Sequence, residues 1–154
     1  MKKFSFRLES VLRFRETQTR QREAEVQRLL AARARVVAQL KELLAQRAEA
    51  EEIGRTHGVT GASLQMLRDF MEGSRRREQA LLGDIAKADR EVALARRRHQ
   101  KARSDEKLLG TLKSRQLESW RLESLREGEL LAGESYLASL LRRQQSELEE
   151  DAAH

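Results

Sequence analysis

Apolar residues in the first third of the chain return every seven positions in neighbouring columns. One column is Leu12, Thr19, Val26, Arg33, Leu40 and Arg47. Beside it run Leu8, Arg15, Arg22, Leu29, Val36, Leu43 and Ala50, and a third column holds Leu30, Val37 and Leu44. A sevenfold apolar repeat describes a helix that buries one stripe against a partner, so the spacing predicts a helix over residues 6–53. The stripe is clean from Val26 to Leu44 but polar at Arg15, Thr19 and Arg22. The first half of this helix is therefore expected to pair more weakly, or with something else.

Gly54, Gly58 and Gly61 punctuate residues 54–63, and such a concentration of glycine ends a helix and permits a reversal. Thr60 or Ser63 is placed to cap the next helix. That second helix is expected over residues 64–141, opening on Leu64, Leu67, Phe70 and Met71. Its seam is Leu81, Ile85, Ala88, Val92, Ala95, His99 and Ala102, in alternating steps of three and four. Gly73 and Gly83 weaken it locally. Beyond Gly110 the pattern becomes irregular, with Leu112, Leu117, Trp120, Leu125 and Leu130 among Gly128 and Gly133, so a break is possible there. Residues 142–154 read as an acidic tail that frays.

These patterns give an all-α fold class: a long antiparallel two-helix coiled-coil hairpin. At 1.5 Å per residue the first segment spans roughly 70 Å and the second roughly 115 Å. Folded back, the second meets the start of the first around residues 110–115. The remainder is expected to overhang, and its leucines and Trp120 then need a partner protein, a second copy, or mobility.

Composition narrows the picture further. Charged residues make up 36% of the 154 positions and aromatics only 4%, with no Pro and no Cys. So few large side chains suit paired helices better than a compact globule. Disulfides and cysteine metal sites are excluded. The basic start, Lys2 and Lys3 before Phe4, has no apolar run behind it, and no stretch is long and uncharged enough to span a bilayer; a cytoplasmic protein is expected. The net charge of +6 is spread over segments of mixed sign, which suits solvated helix faces more than a nucleic-acid stripe.

Catalytic chemistry finds no purchase. Phosphate-binding glycine loops and the HExxH pattern are absent, and His57, His99 and His154 are far apart in sequence. No catalytic residue, cofactor, metal or small-molecule substrate is expected. Two triplets, Arg75-Arg76-Arg77 and Arg96-Arg97-Arg98, fan around a helix. They read either as a solvated, acid-paired surface or as a docking surface for an acidic partner. Trp120 is either a packing residue or a partner anchor. Phe70 either staples the turn onto the first helix or offers an apolar tip to a partner.

The opening Phe4-Ser5-Phe6-Arg7-Leu8-Glu9-Ser10-Val11-Leu12 resembles the start of the flagellar type III export protein FliJ family. So do Gly58-Val59-Thr60 through Leu67-Arg68-Asp69-Phe70-Met71, and Asp105-Glu106-Lys107-Leu108-Leu109 through Leu117-Glu118-Ser119-Trp120. Together the resemblance covers roughly residues 3–125. It implies an antiparallel two-helix coiled coil like the central stalk of rotary ATPases. It also implies three partners: the hexameric flagellar export ATPase, the cytoplasmic domain of the export-gate membrane protein, and export chaperones that the chain escorts. The turn end, with Phe70 and Leu40, is implied at the gate. The end holding both termini is implied in the ATPase pore, and Leu8, Leu12 and Trp120 are further partner-binding candidates. The expected location is cytoplasmic and peripheral to the inner membrane. The rivals are the equivalent stalk of an injectisome, a basic coiled coil that binds nucleic acid, and a structural coiled coil that dimerises through its overhang.

Overall fold

A computed structural model describes residues 3–56, 58 and 60–152, the last six through their backbone. His57 and Val59 of the expected turn, and Ala153 and His154 of the expected tail, lie outside the described residues. Two helices account for nearly everything else: α1, Glu9–Thr56, and α2, Gly61–Ala152. They pack against each other as an all-α helical hairpin, with no strand among the described residues.

The helix limits differ from those the sequence predicts, for identifiable reasons. The helix begins at Glu9 rather than at residue 6. The Glu9 amide donates to the Phe6 carbonyl at 3.1 Å and the Leu12 amide to the Leu8 carbonyl at 2.9 Å. The Glu9 carboxylate then sits in the first turn, where the helix dipole favours a negative charge. At the far end α1 runs on to Thr56, whose hydroxyl donates to the Glu52 carbonyl at 2.9 Å. The turn narrows accordingly. Thr60 caps α2: its hydroxyl accepts from the Ser63 amide at 3.4 Å, and its carbonyl accepts from the Leu64 amide at 3.0 Å.

No break interrupts α2, which passes Gly110, Gly128 and Gly133 and includes residues 142–152. An interior Gly costs a helix up to about 1 kcal/mol relative to Ala, too little to stop one without Pro. The tail residues Arg142, Arg143, Gln144 and Gln145 are themselves good helix formers.

The chain divides into two units: residues 13–106, and a second joining residues up to Leu12 with those from Lys107 onward. In the first unit both predicted seams turn inward. Val26 and Leu43 are buried on α1, and Ser74, Leu81, Val92, Ala95 and Ala102 on α2, with Ile85, Ala88 and His99 half-buried between them. Ala95 is the most enclosed, at 2% exposure; its small side chain lets the partner backbone come close. Leu30 and Val37 of the third column are half-buried and Leu44 is open, which places that column at the edge of the seam.

Ion pairs fix the direction and register. Arg47 meets Glu78 at 2.7 Å, Arg33 meets Asp89, Glu25 meets Arg98 at 3.8 Å, and Arg15 meets Asp105 at 3.5 Å. Partners climb α2 as they descend α1, which is antiparallel pairing. Arg15, Arg33 and Arg47, which interrupt the apolar columns, thus find carboxylates on the other helix, whereas Arg22 pairs with Glu25 on its own helix.

The second unit uses a different device. Phe4 to Phe6 precede the helix outside regular secondary structure, and Phe6 is buried there together with Leu12. Phe4 packs on Trp120 with ring centroids 5.9 Å apart and planes tilted by 55°. Lys113 bonds Glu9 at 2.7 Å. Chain outside a helix advances up to about 3.3 Å per residue, against 1.5 Å within one. The short opening therefore reaches Trp120, further along α2 than residues 110–115, where the helical spacing places the end of pairing. From Leu122 onward most of the large apolar side chains described are open: Leu125, Leu130, Leu131, Tyr136, Leu137 and Leu141 are each more than half exposed, whereas Leu140 is half-buried.

Candidate functional site

Among the described residues no group of three or more His, Asp or Glu is arranged to hold a metal ion, and no helix is long and apolar enough to cross a membrane. The features with chemical character are open grooves along the helix pair of the first unit, and they differ in kind.

Nearest the turn, a groove of about 550 Å³ is lined by Ile53, Gly54, Ser63, Met66, Leu67 and Phe70. Its surface is mostly apolar, and Ile53, Met66 and Phe70 are 53%, 75% and 41% exposed. Gly54 makes this geometry possible. A Cβ at that position would come within 2.7 Å of the Leu67 side chain, so the absence of a side chain lets Leu67 seat against α1.

A second groove, about 570 Å³, adjoins it through Phe70. Its other walls are polar: Glu42, Gln46 and Arg77, with Leu43 and Ser74 at its base. Phe70 therefore stands between an apolar recess and a polar one.

The third groove, about 310 Å³, lies where the α1 seam is polar. Arg15, Gln18 and Arg22 line it from α1, and Arg98, Lys101 and Asp105 from α2. Arg15 donates to Gln18 at 2.9 Å and pairs with Asp105. Arg22 donates to Glu25 at 2.9 Å. That bond lowers the Glu25 carboxyl pKa against the opposing effect of burial, and the charges of Arg22, Arg98 and Arg28 add to the lowering.

The five residues singled out from the sequence fall into two groups. Leu40 and Phe70 belong to the first unit, where Leu40 is a half-buried seam residue and Phe70 lines the two grooves nearest the turn. Leu8, Leu12 and Trp120 belong to the second: Leu12 is core, Leu8 is half-buried, and Trp120 is half-buried against Phe4. Sequence reasoning passed over Ile53 and Met66, which enlarge the apolar turn groove. Their signal was available, because both fall outside the seam columns beside a cluster of glycines. It also missed the convergence of Arg98 with Arg15 and Arg22, which requires the register between the helices.

No curated protein and no solved structure matches this chain. The model of one protein family, described as flagellar FliJ protein, matches residues 4–146. That span includes the Phe4 opening, the turn and the whole seam. With nearly the full length matched and two antiparallel helices in place, the chain belongs to the flagellar FliJ protein family.

Proposed function

We propose that this protein is a non-catalytic coupler of the flagellar type III export apparatus, working as a stalk between the hexameric export ATPase and the export gate. Family membership makes it a flagellar export-related component; the stalk role is the finer reading. The observation that carries it is the antiparallel helix pair, ion-paired across its seam and charged around its sides, within a family match over residues 4–146. A rod of two helices suits the hole of a ring, and a charged flank resists non-specific sticking.

In this reading the end with Leu8, Leu12 and Trp120 enters the ATPase ring. The polar positions Arg15, Thr19 and Arg22 let that end adapt to the pore, since Arg15 and Arg22 are held by exchangeable ion pairs and Thr19 by a bond to its own helix rather than by interlocked leucines. The apolar turn groove around Phe70 faces the cytoplasmic domain of the gate protein; Leu40 lies further along the seam, between the levels of Arg47 with Glu78 and Arg33 with Asp89, and lines neither groove that Phe70 lines. Export chaperones are escorted on the same body. The protein would then reside in the cytoplasm, peripheral to the inner membrane.

The test is ATP hydrolysis by the cognate export ATPase, with and without this protein at matched ionic strength. Stimulation is expected, and deletion of residues 1–22 is expected to abolish it while Phe70→Ala leaves it intact. An ATPase that is neither stimulated nor co-purified contradicts the stalk reading.

A further inference from the structure

The Arg96-Arg97-Arg98 triplet has no part in the coupler reading, and the structure separates its members. Arg98 turns toward α1, where its guanidinium lies 3.8 Å from Glu25 and lines the polar groove. Arg96 and Arg97 are exposed and do not line it. The groove thus gathers Arg15 and Arg22 from one helix and Arg98 and Lys101 from the other. Set against these four cations are two carboxylates, Asp105 in the wall and Glu25 beside it. Two positive charges remain in excess. Arg98 is also mostly open, with 59% of its side chain exposed, so much of its donor fork faces the groove's mouth.

We infer that this groove is a docking site for an extended acidic peptide segment of a partner protein, whose carboxylates are received by Arg98, Lys101, Arg15 and Arg22. The dimensions select the ligand. Arg15 and Arg22 stand seven residues apart on a helix, about 10 Å along its axis. Carboxylates two residues apart on an extended strand share a face about 7 Å apart, and the flexible arginine side chains take up the difference. Arginine forks bind carboxylates in two-point geometry, and the Gln18 amide supplies a donor and an acceptor for the peptide backbone. Ala102 lines the same groove and keeps its floor low. A nucleic-acid backbone is a poorer fit. It needs a longer stripe of one sign, and here Asp105 and Glu25 interrupt the cations. The site shares Arg15 and Arg22 with the pore-adapting stretch of the coupler reading, but it is argued from the groove alone and its test needs no ATPase.

The full-length protein would be titrated into a fluorescein-labelled ten-residue peptide of alternating Glu and Ser, with fluorescence anisotropy as the readout. Saturable binding at low salt is expected, weakening steeply as salt rises. The double variant Arg98→Gln with Lys101→Gln should weaken it about tenfold or more, whereas Arg96→Gln with Arg97→Gln, which removes the same charge outside the groove, should change it less than about threefold. Circular dichroism of both variants checks that the helices persist. If the groove variant unfolds, Lys101→Gln alone supplies the comparison, since Lys101 is exposed. Equal weakening by both pairs would reduce the effect to net charge and overturn the site. So would an absence of peptide binding, or tighter binding of a single-stranded oligonucleotide of equal charge.

Discussion

Two stretches of one seam lie within residues 13–106 and are built on opposite principles. From Val26 to Leu43 on α1, and from Leu81 to Ala95 on α2, contact is apolar and well enclosed. From Arg15 to Arg22, and from Arg98 to Asp105, the same columns hold cations and carboxylates around an open groove. Heptad geometry is shared, so backbone register is not what differs. The difference is what happens when water enters. An apolar stretch loses burial worth about 1.5–3 kcal/mol for each large side chain, whereas exposed ion pairs lose at most about 1 kcal/mol each. One stretch is a clamp, and the other is a contact that can be exchanged for a ligand.

Substitutions should sharpen this contrast in a graded order. Leu81→Ala removes a side chain that is 7% exposed and should cost about 3 kcal/mol, read as a lowered midpoint in urea unfolding followed by circular dichroism. Ala95→Leu forces a large side chain into the tightest point of the seam and should cost about 2 kcal/mol; a neutral result would show that the helices do not approach closely there. Phe4→Ala should cost about 1 kcal/mol by removing the aromatic contact, and the fluorescence of Trp120, the only Trp, should shift to the red. A double-mutant cycle on Arg33 and Asp89 should return about 0.5 kcal/mol and vanish in high salt.

The smallest effect concerns pH. Arg22, Arg98 and Arg28 lower the Glu25 pKa in the folded protein. Its contribution is therefore complete above the unfolded glutamate pKa of about 4.3 and is lost as pH falls through the depressed folded value. Glu25→Gln should flatten the dependence of the melting temperature on pH in that acidic window and leave it unchanged near neutrality.

Much of this was legible in the sequence, because a sevenfold column is a statement about one helix face. The seam Leu81, Ile85, Ala88, Val92, Ala95, His99 and Ala102 turns inward throughout, and Thr60 caps α2 as its residue type suggests. What could not be read locally depends on the other helix. Arg33 and Arg47 look like faults in an apolar column until the register sets them beside Asp89 and Glu78. Phe6 continues the first helix by pattern, yet it lies ahead of the helix and is buried there. Irregular spacing after Gly110 suggested a break, but good helix formers and the absence of Pro carry α2 through. Among the site residues, Phe70 was legible as an apolar position beside the turn. The neighbours that give it a groove, Ile53 and Met66, are defined by the close approach at Gly54.

Hydrogen exchange of backbone amides, measured on the intact protein at low and at high salt, tests the two-part seam most directly. The account predicts strong protection of residues 26–43 at both salt concentrations, and protection of residues 15–22 that is weaker at low salt and falls further at high salt. Equal protection of the two stretches, unmoved by salt, would contradict it.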